Sequence, residues 1–247
     1  MQDSFNPYAA PTTLEMHPAA SEWLGTPNES LRKVASGLGL IRNGLILLIL
    51  GVLLYVVGMA FVVFGGAGRD ALQLLTVLFE GMVFVGQIMN LLGSIRCLST
   101  PPETRARGWI VASVVAEVLS MILGMDQLVG AKSEAAQSAQ QLVGIVAFVT
   151  FILFLRQLGL FIGRTDLARR AINLLILWGV LIGLSLALIA SAFLLQQRNG
   201  RQMFGAAGMG PEIAIVCGVT VLVLSIMALA KYLSLLADMK SAILNGR

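Results

Sequence analysis

Between residues 73 and 97 an apolar run carries six polar side chains, Gln73, Thr76, Glu80, Gln87, Asn90 and Ser94. Gln73, Glu80, Gln87 and Ser94 recur at intervals of seven, and Thr76 and Asn90 each follow a glutamine by three. On a helix, steps of three, four and seven return to one face, so the six form a seam. Lipid satisfies neither a carboxylate nor an amide, so the seam must point at other helices or at water. A second polar edge, Ser113, Glu117 and Ser120, lies in the apolar stretch that follows. Acids inside a membrane segment can carry protons, bind a cation or hold a polar substrate. They can also act as glue between helices, at roughly 0.6–2 kcal/mol per hydrogen bond. Counted from the ends of their segments, Glu80 lies roughly 12 Å and Glu117 about 14 Å deep, from opposite faces. The two carboxyls are therefore expected near the midplane, facing each other.

Other chemistries lack their residues. There is no His-Glu-x-x-His zinc helix, no phosphate-binding glycine loop and no Gly-x-Ser-x-Gly elbow. The single histidine, His17, sits in a proline-rich stretch with no partner that would make it a base or ligand. Cys97 and Cys217 have no metal-site spacing and read as small buried apolar residues. Gly124-Met125-Asp126 has the Gly-Asp of an intramembrane aspartic protease but no second aspartate motif. No enzyme activity, metal or cofactor is expected.

The elements that must position the seam follow from composition. The chain is 57% hydrophobic and 12% charged over 247 residues, where soluble domains are about 25% charged. Apolar runs long enough to cross a bilayer recur, and the expected fold is all-α, a polytopic membrane bundle of six transmembrane helices with a disordered N-terminal tail. The spans are expected at 43–64, 72–95, 108–128, 139–161, 171–195 and 212–236. Gly37, Gly44, Gly51, Gly58 and Gly65 keep a strict interval of seven. Small residues let membrane helices approach closely, so Gly44, Gly51 and Gly58 are expected to form a groove that receives another helix. Gly179-x-x-x-Gly183 is a second contact motif. Thr100 and Glu103 around Pro101 have the spacing of a capping box and place a helix start there. Residues 31–42 are expected at the cytoplasmic surface, and the last span is expected to continue as a surface helix to Asn245.

Charge sets the orientation. With six spans, thirteen of the 17 Lys and Arg fall on the side of the N-terminus. The positive-inside rule then puts both termini in the cytoplasm. The net charge of +4 is explained by this bias and is no signal for nucleic acid. Residues 1–29 hold four of the seven prolines and no apolar periodicity, so a disordered cytoplasmic tail is expected, followed by a transmembrane domain over 30–247. The tail has neither the basic start nor the apolar core of a signal peptide. Its start, Asn6-Pro7-Tyr8-Ala9-Ala10-Pro11, resembles a short tail found on uncharacterised bacterial multi-pass membrane proteins. The resemblance covers six residues; it implies a bacterial inner-membrane location and no activity. Absent catalytic motifs and small-residue faces favour a scaffold, or a subunit assembling with other membrane proteins or with itself in the lipid bilayer. A small transporter or ion-conducting protein using Glu80 and Glu117 is the alternative.

Overall fold

The computed structural model of the chain describes residues 29–65, 69–128, 134–198 and 211–245. The N-terminal tail and the loops before Arg69, Glu134 and Pro211 lie outside the described residues, as does the side chain of Cys217. The described residues are all-helical, with no strand among them. The six long helices are α1 (Glu29–Gly65), α2 (Arg69–Cys97), α3 (Arg107–Leu128), α4 (Glu134–Phe161), α5 (Thr165–Arg198) and α6 (Pro211–Asn245). Five of them, α1 to α5, are long and apolar enough to cross a membrane. Each helix packs chiefly against its neighbours in chain order and α6 returns to α1, so the six close a ring. The α2–α3 pair touches least.

One end of the ring is solid. Leu31, Val34, Ala35, Leu38 and Ile41 repeat at helical spacing on α1 and are buried. They meet Phe151, Ile152, Phe154, Leu155 and Leu158 of α4, Leu167, Ala171 and Leu174 of α5, and Leu235, Leu236, Met239 and Ile243 of α6. Residues 31–42 carry this core stripe with Arg32, Lys33 and Arg42 on its outer face. One expectation is corrected here: the tail of α6 is no separate surface helix, because Leu235, Leu236, Met239, Ala242 and Ile243 turn into the core. Side chains packed this way each contribute about 1.5–3 kcal/mol where they leave water. Above this core the outward faces carry exposed apolar residues such as Leu53, Val56 and Phe61, as lipid-facing helices do.

The α1–α2 pair is held backbone to backbone. A Cβ at Gly37 would stand 2.5 Å from the Gly93 carbonyl oxygen, and one at Gly44 would stand 2.9 Å from that of Gly86. Gly51 packs on Met82 and Gly58 on Leu75. The α1 glycines thus face a matched pair on α2, Gly86 and Gly93, also seven apart. The buried thiol of Cys97 donates to the Val34 carbonyl (3.8 Å) and the Arg96 guanidinium to Ser36 Oγ (2.9 Å), closing the inner end of this seam. Among the described residues, Gly179 and Gly183 have no neighbouring atom within 4 Å of a would-be Cβ, so they make no close contact with another described helix.

The α2–α3 elbow also differs from the expected capping box. Thr100 Oγ1 donates back to the Cys97 carbonyl (2.6 Å), so Thr100 finishes α2 rather than starting α3. Pro102–Thr104 forms one 3-10 turn, and Arg105 breaks it with φ 51°. Thr104 Oγ1 accepts from the Ala106 amide (3.1 Å) and donates to the Pro101 carbonyl (2.8 Å), capping the entry to α3. Gly163, at φ 72°, ends α4 in the left-handed conformation where glycine carries no steric penalty. The Arg164 amide then bonds the Gly159 carbonyl (2.9 Å).

Two predictions test this architecture. Gly44→Val should lower the melting temperature of the detergent-solubilised protein, at a cost of about 1–3 kcal/mol for forcing α1 off α2. Gly179→Ala should leave it unchanged or raise it, since that site is open. Leu38→Ala, in the solid end, should cost about 2–5 kcal/mol in the same assay, whereas Leu53→Ala on the exposed outer face should change little.

Candidate ligand-binding cavity

Above the solid end the ring is hollow. A cavity of about 1250 Å³ is lined mainly by α2, α3 and α4, with Ile41 and Leu45 of α1, Trp178 of α5, and Leu229 and Tyr232 of α6 toward the solid end. Glu80, Gln87, Asn90 and Ser94 of the α2 seam line it, and so do Ser113, Glu117 and Ser120 of α3. Gln73 and Thr76 lie beyond it on the same helix. Gln73 is exposed, and Thr76 bonds its own helix through the Leu72 carbonyl (2.9 Å).

Each wall has a local cause. α2 presents Glu80, Val83, Phe84, Gln87, Asn90 and Ser94 at steps of three and four, one face of one helix. α1 occupies one side of α2, Leu74, Val77, Leu78, Val85 and Leu92 take an exposed apolar side, and the polar seam takes the side that lines the cavity. α3 and α4 are joined by the Ser113 hydroxyl, buried and donating to the Ala147 carbonyl (3.0 Å). Farther out Gln140 lies across Gly124. At the inner end Phe148 is flanked by Trp178 of α5, ring centroids 5.0 Å apart, and by Tyr232 of α6, at 5.6 Å.

The two acids do not face each other. Glu117 is hydrogen-bonded by the buried hydroxyl of Ser94. Glu80 precedes Ser94 by fourteen residues, about 21 Å along α2. The carboxyls therefore mark different levels of one cavity, Glu117 at its floor and Glu80 toward its mouth. The reason lies at the start of α3. Ala106 and Ile110 are fully buried within the solid end, so the first turns of α3 add no depth in the hollow part. Helical side chains also lean toward their own N-terminus, which sends Glu117 down and Glu80 up.

Among the described residues no Lys, Arg or His lines the cavity, at Glu117 or elsewhere. Among the described residues three buried side-chain polar atoms lack a hydrogen-bond partner: Ser30 Oγ, Asn90 Oδ1 and Trp178 Nε1. Two of the three belong to cavity-lining residues. Ser30 lies within the first turn of α1 and caps nothing. Among the described residues no group of three or more His, Cys, Asp or Glu could hold a metal. A smaller cleft at the inner rim, about 300 Å³, contains Arg164 and Arg170. Arg164 is paired with Asp166 (3.0 Å) and Arg170 with Asp238 (2.9 Å).

Sequence reasoning missed Gln137, Gln140, Phe148, Trp178 and Tyr232 as lining residues. Trp178 carried a signal. Membrane tryptophans gather at the interfaces, and this one sits well inside an apolar span, where its N–H needs a partner. Tyr232 and Phe148 carried none, since each reads as ordinary packing in a helix of unknown neighbours. Compared with protein-family models, with curated proteins and with solved structures, the chain matches none.

Proposed function

We propose that this protein is a six-span inner-membrane protein that binds a small organic cation in the cavity and passes it across the bilayer. In this reading both termini are cytoplasmic, α6 is the sixth span, and the hollow end faces outward. No covalent step is involved. The observation that carries the reading is the cavity's composition: two acids, several amides and hydroxyls, an aromatic floor, and, among the described residues, no basic one. A carboxyl without a basic neighbour needs a positive partner, and a proton or an incoming cation can serve. Aromatic faces attract cations as well, by about 0.5–2 kcal/mol each. The volume is ample for a small ligand, since such pockets run about 300–1000 Å³.

The scaffold reading rests on Gly179, Gly183 and the apolar outer faces. Lipid covers such faces as readily as a partner subunit does, so these features do not favour it. A scaffold also has no use for a polar cavity, and the cavity is what favours the transporter reading.

Uptake of radiolabelled phenethylamine into proteoliposomes tests the proposal. The wild-type chain should raise uptake above empty vesicles, and Glu117→Gln should lower it at least tenfold at unchanged melting temperature. Glu80→Gln should weaken it less, because that acid lies at the wider level. Acidifying the outer medium should slow uptake, since protons and the amine compete for the same carboxylates. Wild-type uptake by a folded Glu117→Gln protein would sink the proposal. In a protein with Cys97→Ala and Cys217→Ala, Gln87→Cys should react with a membrane-impermeant maleimide added outside, and Arg32→Cys, on the exposed rim of the solid end, should not. Labelling of Arg32→Cys without Gln87→Cys would reverse the assignment of the hollow end.

A further inference from the structure

The seams between neighbouring helices are unequal. α1 and α2 meet through matched glycines, α3 and α4 through the Ser113–Ala147 bond, and α4 and α5 through Phe148 and Trp178. Of the neighbouring pairs in the ring, α2 and α3 touch least among the described residues. The Ser94 hydroxyl on Glu117 joins them at the cavity floor. Above that bond both helices line the cavity, α2 with Glu80, Phe84 and Gln87 and α3 with Ser120, Met121 and Gly124.

Side chains along this edge belong to two surfaces at once. Phe84 lines the cavity and is 51% exposed. Val77, seven residues before it, and Ile95, eleven after, share its side of the helix, and both are part of the exposed apolar face of α2. On α3, Met121 lines the cavity and follows the exposed Val118 by three residues, so the two are neighbours on the helix surface. At the α2–α3 edge the cavity wall therefore passes directly into the outer apolar surface.

In a bilayer such an edge faces acyl chains, and two further features fit a ligand that comes from there. At about 1250 Å³, the cavity is larger than the roughly 300–1000 Å³ that holds a small ligand. Much of its wall is apolar, with Ile41, Leu45, Val83, Ile88 and Phe151 contributing, while Glu117 stands at the floor. A long apolar body has room, and a charged head has a partner. A charge held in hydrocarbon is costly, so a cationic head gains by reaching the Glu117 carboxyl. The chain gains little, because an apolar wall is no better a solvent for it than the lipid it leaves. Recognition therefore falls on the head.

We propose that the cavity takes up long-chain alkyl amines from the bilayer through the α2–α3 edge, with the ammonium on Glu117 and the chain passing between Phe84 and Met121. This rests on the cation-binding reading of the cavity and adds the ligand's class and its route.

Photolabelling of the full chain in lipid nanodiscs tests it. The probes are hexadecylamine and hexadecanol, each with a diazirine midway along the chain, and labelled residues are mapped by mass spectrometry. Val85 and Val115, on the exposed outer faces of α2 and α3, report contact with bulk lipid. The amine-to-alcohol labelling ratio should be about tenfold higher at Phe84 and Met121 than at these two, the worth of one charge-assisted hydrogen bond at the head. Glu117→Gln should level the ratio at unchanged melting temperature. A level ratio in the wild-type chain, with phenethylamine uptake still dependent on Glu117, would overturn the route and the ligand class and leave the cation site standing. A raised ratio kept by a folded Glu117→Gln protein would overturn the seat on Glu117, and the proposal with it. A level ratio together with uptake indifferent to Glu117→Gln would overturn both claims.

Discussion

The structure depends on the apolar core at one end of the ring. Within a bilayer, lipid tails are as apolar as leucine, so burial gives helices little reason to associate. The stripe from Leu31 to Ile41 and the inward face of α6 from Leu235 to Ile243 are patterned as in a water-soluble bundle. Where such a pattern meets water it gains the full hydrophobic drive. Helices clamped at one end need less contact at the other, and the hollow part of the ring can carry polar side chains.

The second source of cohesion is geometric. Along α1 and α2, glycines at matched intervals bring backbones together, and van der Waals packing replaces burial as the binding force. This seam fixes the rotation of α2. With Gly86 and Gly93 on α1 and Leu74, Val77, Val85 and Leu92 on the exposed outer side, Glu80, Gln87, Asn90 and Ser94 fall on the side that lines the cavity. The polar cavity is thus a by-product of the glycine register, because one face of a helix determines the other. Ion pairs such as Arg170–Asp238 are exposed and contribute little, about 0–1 kcal/mol each.

The glycine register was readable from the chain because a period of seven needs no knowledge of neighbours. The α2 polar stripe was readable for the same reason, and Gln73 and Thr76 fall outside the cavity only because the stripe outruns it. Depth was not readable. The meeting of Glu80 and Glu117 was inferred by counting from the ends of apolar stretches, and that count assumes each helix starts at the membrane surface. α3 instead starts inside the solid end, behind an elbow whose Thr100 and Thr104 bonds and Arg105 backbone no pattern announced. The end of α6 was misplaced for a related reason: an amphipathic continuation looks alike whether its apolar side lies on lipid headgroups or on other helices. Trp178 was overlooked because an indole in an apolar span has the composition of packing, and only its unpaired N–H distinguishes it.

The backbone contact along α1 and α2 has a mechanical consequence. Two helices locked carbonyl to would-be Cβ at two successive levels, Gly37 on Gly93 and Gly44 on Gly86, cannot slide or roll past each other there without a clash, so along that length they behave as one stiff plank. The compliance of the ring is therefore unevenly distributed. It concentrates at the sparsely packed α2–α3 edge, above the point where Ser94 holds Glu117. A load applied at the mouth would bend the ring there first, with the threonine-clasped elbow as its pivot.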